Sequence, residues 1–334
     1  MSLPVERIAA WLGERDRGAV EITGVEKLGG GAIQENWGLS ATIGGERQEL
    51  VLRTSSPSGI AVSWSREQEY AVLQIAYEAG VKAPEPMRFC DDVSVIGKPF
   101  YLMRRAPGEA RGHKLVRDDR VGSWGNDVAA ELGRQLALLH KVSPEKAALE
   151  FMPFPQGPPF AGRIAEYRHF LDELDEPQPV IEYGLSWLER HPPEPFGLSL
   201  LHCDYRTGNY LVHEGRLTAI LDWEFAAYGD PLEDVSWFLA RCWRFGAWQR
   251  QAGGVGSVEA FLAGYEEISS SRIPRDRLPA WQLMATIRWA VIALMQTKRH
   301  YSGAEASLEL ALIQFTLPQL EWDIMEQTES GDLL

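Results

Sequence analysis

The 334-residue sequence predicts an α+β chain of two unequal lobes, a small antiparallel sheet at the N-terminus and a larger, mainly helical C-terminal part. Alternating apolar residues punctuated by glycine turns fill roughly the first hundred residues, and helical periodicity takes over after Pro107. Residues 199–221 break that helical run with a strand, a loop and a hairpin. We place the boundary at 1–103 for the N-lobe and 104–334 for the C-lobe.

Taken in order, residues 1–17 mix Glu6, Arg7, Glu14, Arg15 and Asp16 with Ile8, Trp11 and Leu12, an amphipathic helix and not a signal peptide. Residues 19–28 read as a strand, Gly29, Gly30 and Gly31 interrupt it, and 37–43 resume the pattern. Gly44 and Gly45 turn the chain into residues 46–53, where Leu50 and Leu52 face one side and Val51 and Arg53 the other. A helix over 65–79 stops at Gly80, and short strands near 87–89 and 100–103 complete the sheet. Helices follow at 127–140, 163–174, 180–190 and 232–244, with three more before the end. A Pro- and aromatic-rich loop occupies 151–160. Residues 281–295 are apolar but short for a membrane span and carry Arg288, so they read as a buried core helix.

Composition narrows the partners. With 33 Lys plus Arg against 47 Asp plus Glu, the net charge of -14 disfavours nucleic acid and anionic membranes. Three widely spaced cysteines, Cys90, Cys203 and Cys242, suggest neither disulfides nor zinc, and a reducing cytoplasm is the expected setting. Oligomeric state is not legible.

The chemistry concentrates in His202-Cys203-Asp204-Tyr205-Arg206-Thr207-Gly208-Asn209, followed by Asp222-Trp223-Glu224. A turn at Glu214-Gly215 would set Asn209 opposite Ile220, within reach of Asp222 on the neighbouring arm. An amide oxygen and a carboxylate at one end of a hairpin suit Mg2+, which prefers hard oxygens shared with water and phosphates. Asp204, upstream in the loop, is placed to accept a proton from an attacking hydroxyl.

This pattern, His-x-Asp-x-x-x-x-Asn, a strand, then Asp-Trp-Glu, resembles the aminoglycoside phosphotransferase and choline kinase superfamily, and Gly229-Asp230-Pro231-Leu232-Glu233-Asp234 resembles its Gly-Asp-Pro-x-x-Asp signature. The likeness extends from about residue 26 to 234 and is strongest to the branch associated with acyl-CoA metabolism. It implies a bilobal protein-kinase-like fold and a small-molecule kinase: an ATP- or GTP-dependent phosphotransferase acting on a hydroxyl group, with Asp204 as base. It implies Asn209 and Asp222 as Mg2+ ligands, His202 and Asp230 as structural support, and Glu224 as an outer contact to the metal's ligands. Gly29, Gly30 and Gly31 resemble the loop covering the nucleotide phosphates, Arg53 stands where the commoner pattern has Lys, Glu69 resembles its helix partner, and Met103 ends the hinge strand.

Of Glu67 and Glu69, which project to opposite sides of a helix, Glu69 shares the face of Leu73 and Ala76 and is the one chosen. Cys203 reads as a buried small hydrophobe, Trp237, Trp243 and Trp248 as core, and Asp172, Glu173, Asp175 and Glu176 as a solvated face. The interval from Asp222 to Gly229 leaves no room for the activation segment of a protein kinase. Arg53 raises the alternative of a nucleotide-binding regulatory module without turnover, a pseudokinase. No motif names the acceptor: an amino alcohol, a sugar, an aminoglycoside-like antibiotic and a hydroxy acid on coenzyme A all remain candidates.

Overall fold

A computed structural model describes residues 3–16, 18–29, 34–55, 63–147 and 149–330. The chain divides into two compact units, Met1–Gly108 with Thr218–Phe225, and Glu109–Leu217 with Ala226–Leu334.

The first unit runs α1 (Val5–Asp16), β1 (Val20–Leu28), β2 (Gln34–Ile43), β3 (Glu46–Ser55), α2 (Arg66–Glu78), β4 (Pro86–Cys90), α3 (Val93–Ile96) and β5 (Phe100–Arg104). Its strands form one antiparallel sheet in the order β1-β2-β3-β5-β4. The two-residue period of β3 sorts its side chains: Leu50 and Leu52 join Leu39, Phe100 and Leu102 in a core that receives Ile8, Trp11 and Leu12 of α1. The expected amphipathic helix therefore closes one face of the sheet. Arg53, on the alternate phase of β3, meets Glu69 of α2. Ser65 caps α2, its hydroxyl accepting from Gln68 N while the Gln68 side chain accepts from Ser65 N, so the helix starts at a fixed residue and presents Glu69, Val72, Leu73 and Ala76 as its buried stripe.

The second unit contains α4 (Gly112–Val116), α5 (Val121–His140), α6 (Pro144–Ala147), α7 (Pro159–Asp172), α8 (Pro179–Arg190), β6 (Ser199–Leu201) and β7 (Tyr210–His213). After β8 (Arg216–Ile220), within which the chain passes between units, come β9 (Ala227–Gly229), α9 (Pro231–Leu239), α10 (Val258–Ile268), α11 (Leu278–Tyr301), α12 (Leu308–Ile313) and α13 (Leu317–Ser330). β6 pairs with β9 and β7 with β8. Helices α5 and α10 cross at backbone contact, because a Cβ on Gly133 would lie 2.0 Å from the Phe261 carbonyl oxygen and one on Gly264 1.9 Å from that of Ala130. That close crossing seats α5 against the loop that carries the chemistry.

Two expectations need correcting. The helix read over 232–244 ends at Leu239; Ala240 takes an extended conformation and residues Arg241–Arg244 form a 3-10 turn, folding Trp243 back to meet Trp237 edge-on at 5.1 Å. Four helices, not three, follow that turn among the described residues. Residues Arg275–Tyr301 are long and apolar enough to cross a membrane by length and composition, yet 67% of the most apolar window is buried, in keeping with a core helix.

Candidate active site

In the second unit, antiparallel pairing of β6 with β9 (Leu200 opposite Tyr228) brings the start of the 202–209 loop beside the start of α9. Asp230 caps α9 with Pro231 at its first position: one carboxylate oxygen accepts from Leu232 N at 2.9 Å, the other from Phe196 N at 2.7 Å. The bonds that hold the loop go to Asp234, one turn later, which corrects the assignment of the brace to Asp230. Asp234 accepts from His202 N at 2.7 Å and Cys203 N at 2.8 Å, and meets His140 Nε2 at 3.2 Å. Burial works to raise the Asp234 carboxyl, but the His140 hydrogen bond and charge, with the backbone donors, hold it below the usual carboxylate range. His140 Nδ1 in turn lies 3.0 Å from Tyr265 OH.

These bonds stabilise an unusual backbone. Cys203 has φ +60°, left-handed for a β-carbon-bearing residue and costing about 1 kcal/mol or more. Its carbonyl oxygen accepts from Arg288, and burial pushes its thiol far above the ordinary value, so it serves as a buried packing residue. His202 is fully buried and its Nδ1 accepts from Asp204 N at 3.1 Å, which makes it a buttress of the loop. Tyr205 OH reaches Leu132 O at 2.7 Å and Thr207 Oγ1 reaches Gly253 O at 2.6 Å.

The Asp204 carboxylate is buried and held by three side chains. Oδ1 accepts from Trp237 Nε1 at 2.9 Å and Arg206 Nε at 3.0 Å; Oδ2 accepts from Asn209 Nδ2 at 2.5 Å. Asn209 Nδ2 also donates to the Asp204 carbonyl oxygen at 2.9 Å. The amide nitrogen is thus committed to Asp204, and Oδ1 is the acceptor Asn209 has left to offer a cation.

The first unit holds a different cluster. Arg53 Nη2 lies 2.8 Å from Glu69 Oε1, pairs with Asp222 Oδ1 and lies 3.9 Å from Glu224 Oε1. Arg66 pairs with Glu69 and lies 3.6 Å from Glu224 Oε2, which also accepts from Gln34 Nε2. Burial opposes the Arg53 charge, but Glu69 and Asp222 outweigh it and hold its pKa well above the ordinary value. Glu224 is pushed up to about 7, first by burial and then by the charge of Asp222. Asp222 itself has φ +72°, a conformation Asp tolerates better than most residues.

The structure therefore brings Arg53, Glu69, Asp222 and Glu224 together in one unit, and His202, Asp204 and Asn209 in the other, with Asp230 capping α9. Glu67 is exposed. Met103 is buried in β5 opposite Val51, and Gly29 follows β1. Gly30 and Gly31 lie outside the described residues. Asn209 and Asp222 fall in different units. Their donor atoms, an amide oxygen and a carboxylate, are the hard ligands Mg2+ takes alongside water and phosphate. Among the described residues no group of three or more His, Cys, Asp or Glu could hold a metal ion by itself.

Sequence reading gave no site role to Asp234, Arg66 or Gln34, set His140 at a helix end as a capping or surface residue, and gave Trp237 only a core role. The second Asp of Gly-Asp-Pro-x-x-Asp was the one visible signal among them.

The phosphotransferase enzyme family profile matches residues 24–270. The chain is 28% identical over 299 residues to acyl-CoA dehydrogenase family member 10 of Mus musculus, covering 83% of this chain and 27% of that protein. It thus spans about a quarter of the length of the curated relatives it matches first. A Ralstonia eutropha crystal structure assigned as an aminoglycoside phosphotransferase superposes with a TM-score of 0.78 at 23% identity, covering 98% of this chain and 99% of that one. A thermostable mutant of another aminoglycoside phosphotransferase, in ternary complex with ADP and hygromycin B, superposes at 0.61 with 18% identity, covering 98% and 99%. The chain belongs to the phosphotransferase enzyme family and has its bilobal, protein-kinase-like α+β fold.

Proposed function

We propose that this protein transfers the terminal phosphoryl group of ATP or GTP to a hydroxyl group of a small molecule. The observation that carries the reading is the Asp204 carboxylate, fixed by Trp237, Arg206 and Asn209 on a loop whose backbone is bonded to Asp234. A carboxylate so held can aim an alcohol oxygen and take its proton as the new P–O bond forms. Asn209 and Asp222 are the proposed magnesium ligands, and Mg2+ when bound supplies charge neutralisation of the phosphates. Arg53, oriented by Glu69, is the proposed phosphate contact, with Met103 at the adenine or guanine edge; Gly29, Gly30 and Gly31 are proposed as further phosphate contacts on the sequence resemblance alone. The solved relative with ADP and hygromycin B supports a nucleotide donor beside a small-molecule partner.

The test is nucleotide consumption against a library of hydroxyl compounds, with and without magnesium. Asp222→Ala should lower turnover on the order of 10²-fold or more while the circular dichroism spectrum is retained. Full activity of Asp222→Ala at low magnesium would sink the metal assignment. A second reading, nucleotide binding without turnover, is favoured by the ion pair that already engages Asp222 Oδ1 with Arg53. Tight nucleotide binding with no transfer to any hydroxyl compound would select it.

A further inference from the structure

The hydrogen bonds behind Asp204 continue past Asp234. Asp234 Oδ2 accepts from His202 N at 2.7 Å and meets His140 Nε2 at 3.2 Å, so one oxygen holds both the start of the 202–209 loop and an imidazole at the end of α5. Asp234 is fully buried with its carboxyl held below the usual range, so it only accepts, and His140 Nε2 supplies the hydrogen between them. On the other side of the ring, Nδ1 lies 3.0 Å from Tyr265 OH of α10, and the two rings meet edge-on at 5.7 Å. Burial, and then the charge of Asp234, push the Tyr265 phenol up, so it keeps its proton.

The crossing of α5 and α10 sets this alignment. A Cβ on Gly133 would lie 2.7 Å from Tyr265 N, so glycine there lets the backbone of Tyr265 approach α5. His140 stands seven residues after Gly133 (140 − 133 = 7), close to two full turns, and therefore projects from the same face of α5. The end of α5 is also bonded to β6: Ser199 Oγ donates to the His140 carbonyl at 2.7 Å and Leu200 N to that of Val142 at 2.9 Å. A histidine that only fills a core needs an acceptor for its ring N–H; here both ring nitrogens are bonded, and the bonds run in series. They lead from Tyr265 through His140 and Asp234 to the backbone of His202 and Cys203, and from His202 Nδ1 to Asp204 N at 3.1 Å.

We propose that His140 and Tyr265 are positioning residues for the transfer reaction: Tyr265 fixes the His140 ring, His140 fixes the Asp234 carboxylate, and Asp234 fixes the backbone that aims Asp204. The inference rests on the phosphotransfer reading for Asp204 and extends it to two residues that act through Asp234. The amides of His202 and Cys203 hold Asp234 from the loop itself, whereas His140 holds it from the helices. The loop therefore takes its place from the α5–α10 crossing as well as from α9. Because Cys203 keeps a left-handed φ of +60°, loosening Asp234 gives the loop strain to release, and the Asp204 carboxylate moves with it.

The experiment makes Tyr265→Phe, His140→Gln, His140→Leu and the Tyr265→Phe, His140→Leu pair in the 334-residue chain. Each is assayed for kcat and nucleotide KM with magnesium and ATP or GTP, using ethanolamine, glycerol and 3-hydroxybutyrate as acceptors. Hydrogen exchange of the amides at 202–204 is read beside that of the other helices and strands. His140→Leu should lower kcat by about 10- to 100-fold with nucleotide KM within about twofold, since small misplacement of a reacting group costs that much. His140→Gln keeps an N–H for Asp234 and should recover part of the loss. Tyr265→Phe should cost about 3- to 10-fold and should add nothing once His140 is Leu, because its effect passes through the imidazole. In each variant the 202–204 amides should exchange faster than the rest of the chain. If His140→Leu does not fold, Tyr265→Phe and His140→Gln carry the test. Unchanged kcat in both of these, a rise in nucleotide KM alone, Gln no better than Leu, or exchange that quickens uniformly overturns the proposal. If the unaltered chain transfers phosphate to none of the three acceptors, the phosphotransfer reading loses support and the exchange decides: selective loosening at 202–204 keeps His140 and Tyr265 as the loop's positioning residues, and uniform loosening removes them.

Discussion

The two charged clusters of this protein are organised on different terms. Around Asp204, one carboxylate accepts from an indole, a guanidinium and an amide, and the backbone that bears it is tied to Asp234, Arg288, α5 and Gly253. Around Arg53, two guanidiniums face three carboxylates, Glu69, Asp222 and Glu224, and Arg53 Nε, Arg66 Nε and Gln34 Oε1 have no hydrogen-bond partner among the described residues. The first cluster fixes the position of one group through many weak constraints. The second concentrates charge, so its members depend on one another and a change at one should shift the ionisation of the rest; burial and then the Asp222 charge push Glu224 up. Alterations in the first should therefore be legible residue by residue, and alterations in the second should be coupled.

Asp204→Asn gives the largest expected effect and the cleanest test of the first half. Asn keeps the shape, and an amide oxygen in the place of Oδ1 still accepts from Trp237 and Arg206, but it cannot take a proton. Turnover should fall on the order of 10²- to 10⁴-fold while nucleotide affinity holds. Measured together in one preparation, unchanged turnover would refute the role, and loss of both properties would mean that Asp204 holds the loop together instead. Because positioning carries much of phosphoryl transfer, a loss near the lower end is compatible with the assignment.

Asp234→Ala breaks the constraint beneath Asp204 without touching the Arg53 cluster. It leaves His202 N, Cys203 N and His140 without their acceptor in a fully buried place, at a cost of about 3–5 kcal/mol of stability. Urea unfolding measures it. The same carboxylate has a pH signature. Its folded-state pKa is lowered, so the stability it contributes is complete above the ordinary carboxylate range, at about pH 4, and is lost as pH falls through the lowered value. Asp234→Asn should flatten the decline of the urea midpoint below about pH 4 relative to the unaltered chain. An equally steep decline would place the acid sensitivity elsewhere.

How much of this was legible in the sequence follows the range of the interactions involved. The strands and their turns were readable because Gly44-Gly45 and Glu214-Gly215 act within two residues, and Glu69 was separable from Glu67 by its helix face alone. The break at Ala240 was not, because residues 232–244 carry an unbroken apolar pattern and only the contact of Trp243 with Trp237 decides where the helix stops. Asp230 and Asp234 are equivalent on paper; the pairing of β6 with β9 determines which of them faces the loop. Arg66 follows a helix cap and nothing in its local pattern marks it, yet it is buried beside Glu69 and Glu224, partners three and 158 positions along the chain (224 − 66 = 158). Local chemistry was visible, and the long-range partners of each charge were not.

The smallest expected effect probes the second cluster, where the sequence departs from the commoner pattern by placing Arg at position 53. Among the described residues, all three ion pairs of Arg53 run through Nη2 and its Nε has no hydrogen-bond partner. A Lys ammonium is also a single point with three donors, so Arg53→Lys can in principle serve Glu69, Asp222 and a phosphate from one atom, although its stem is shorter and its hydration stronger. Arg53→Ala instead leaves Glu69 and Glu224 with Arg66 as their one ion-pair cation among the described residues, a loss of about 3–5 kcal/mol for breaking a buried pair. Nucleotide affinity should thus fall by about tenfold or less in Arg53→Lys and by far more in Arg53→Ala, with Asp204-dependent chemistry persisting in the Lys variant. If Lys costs as much as Ala, the planar fork itself is required, and the nitrogens that make no ion pair in this structure must be the ones that grip the phosphates. If neither substitution changes nucleotide affinity, Arg53 serves only to neutralise the carboxylates around it, and the cluster is structural.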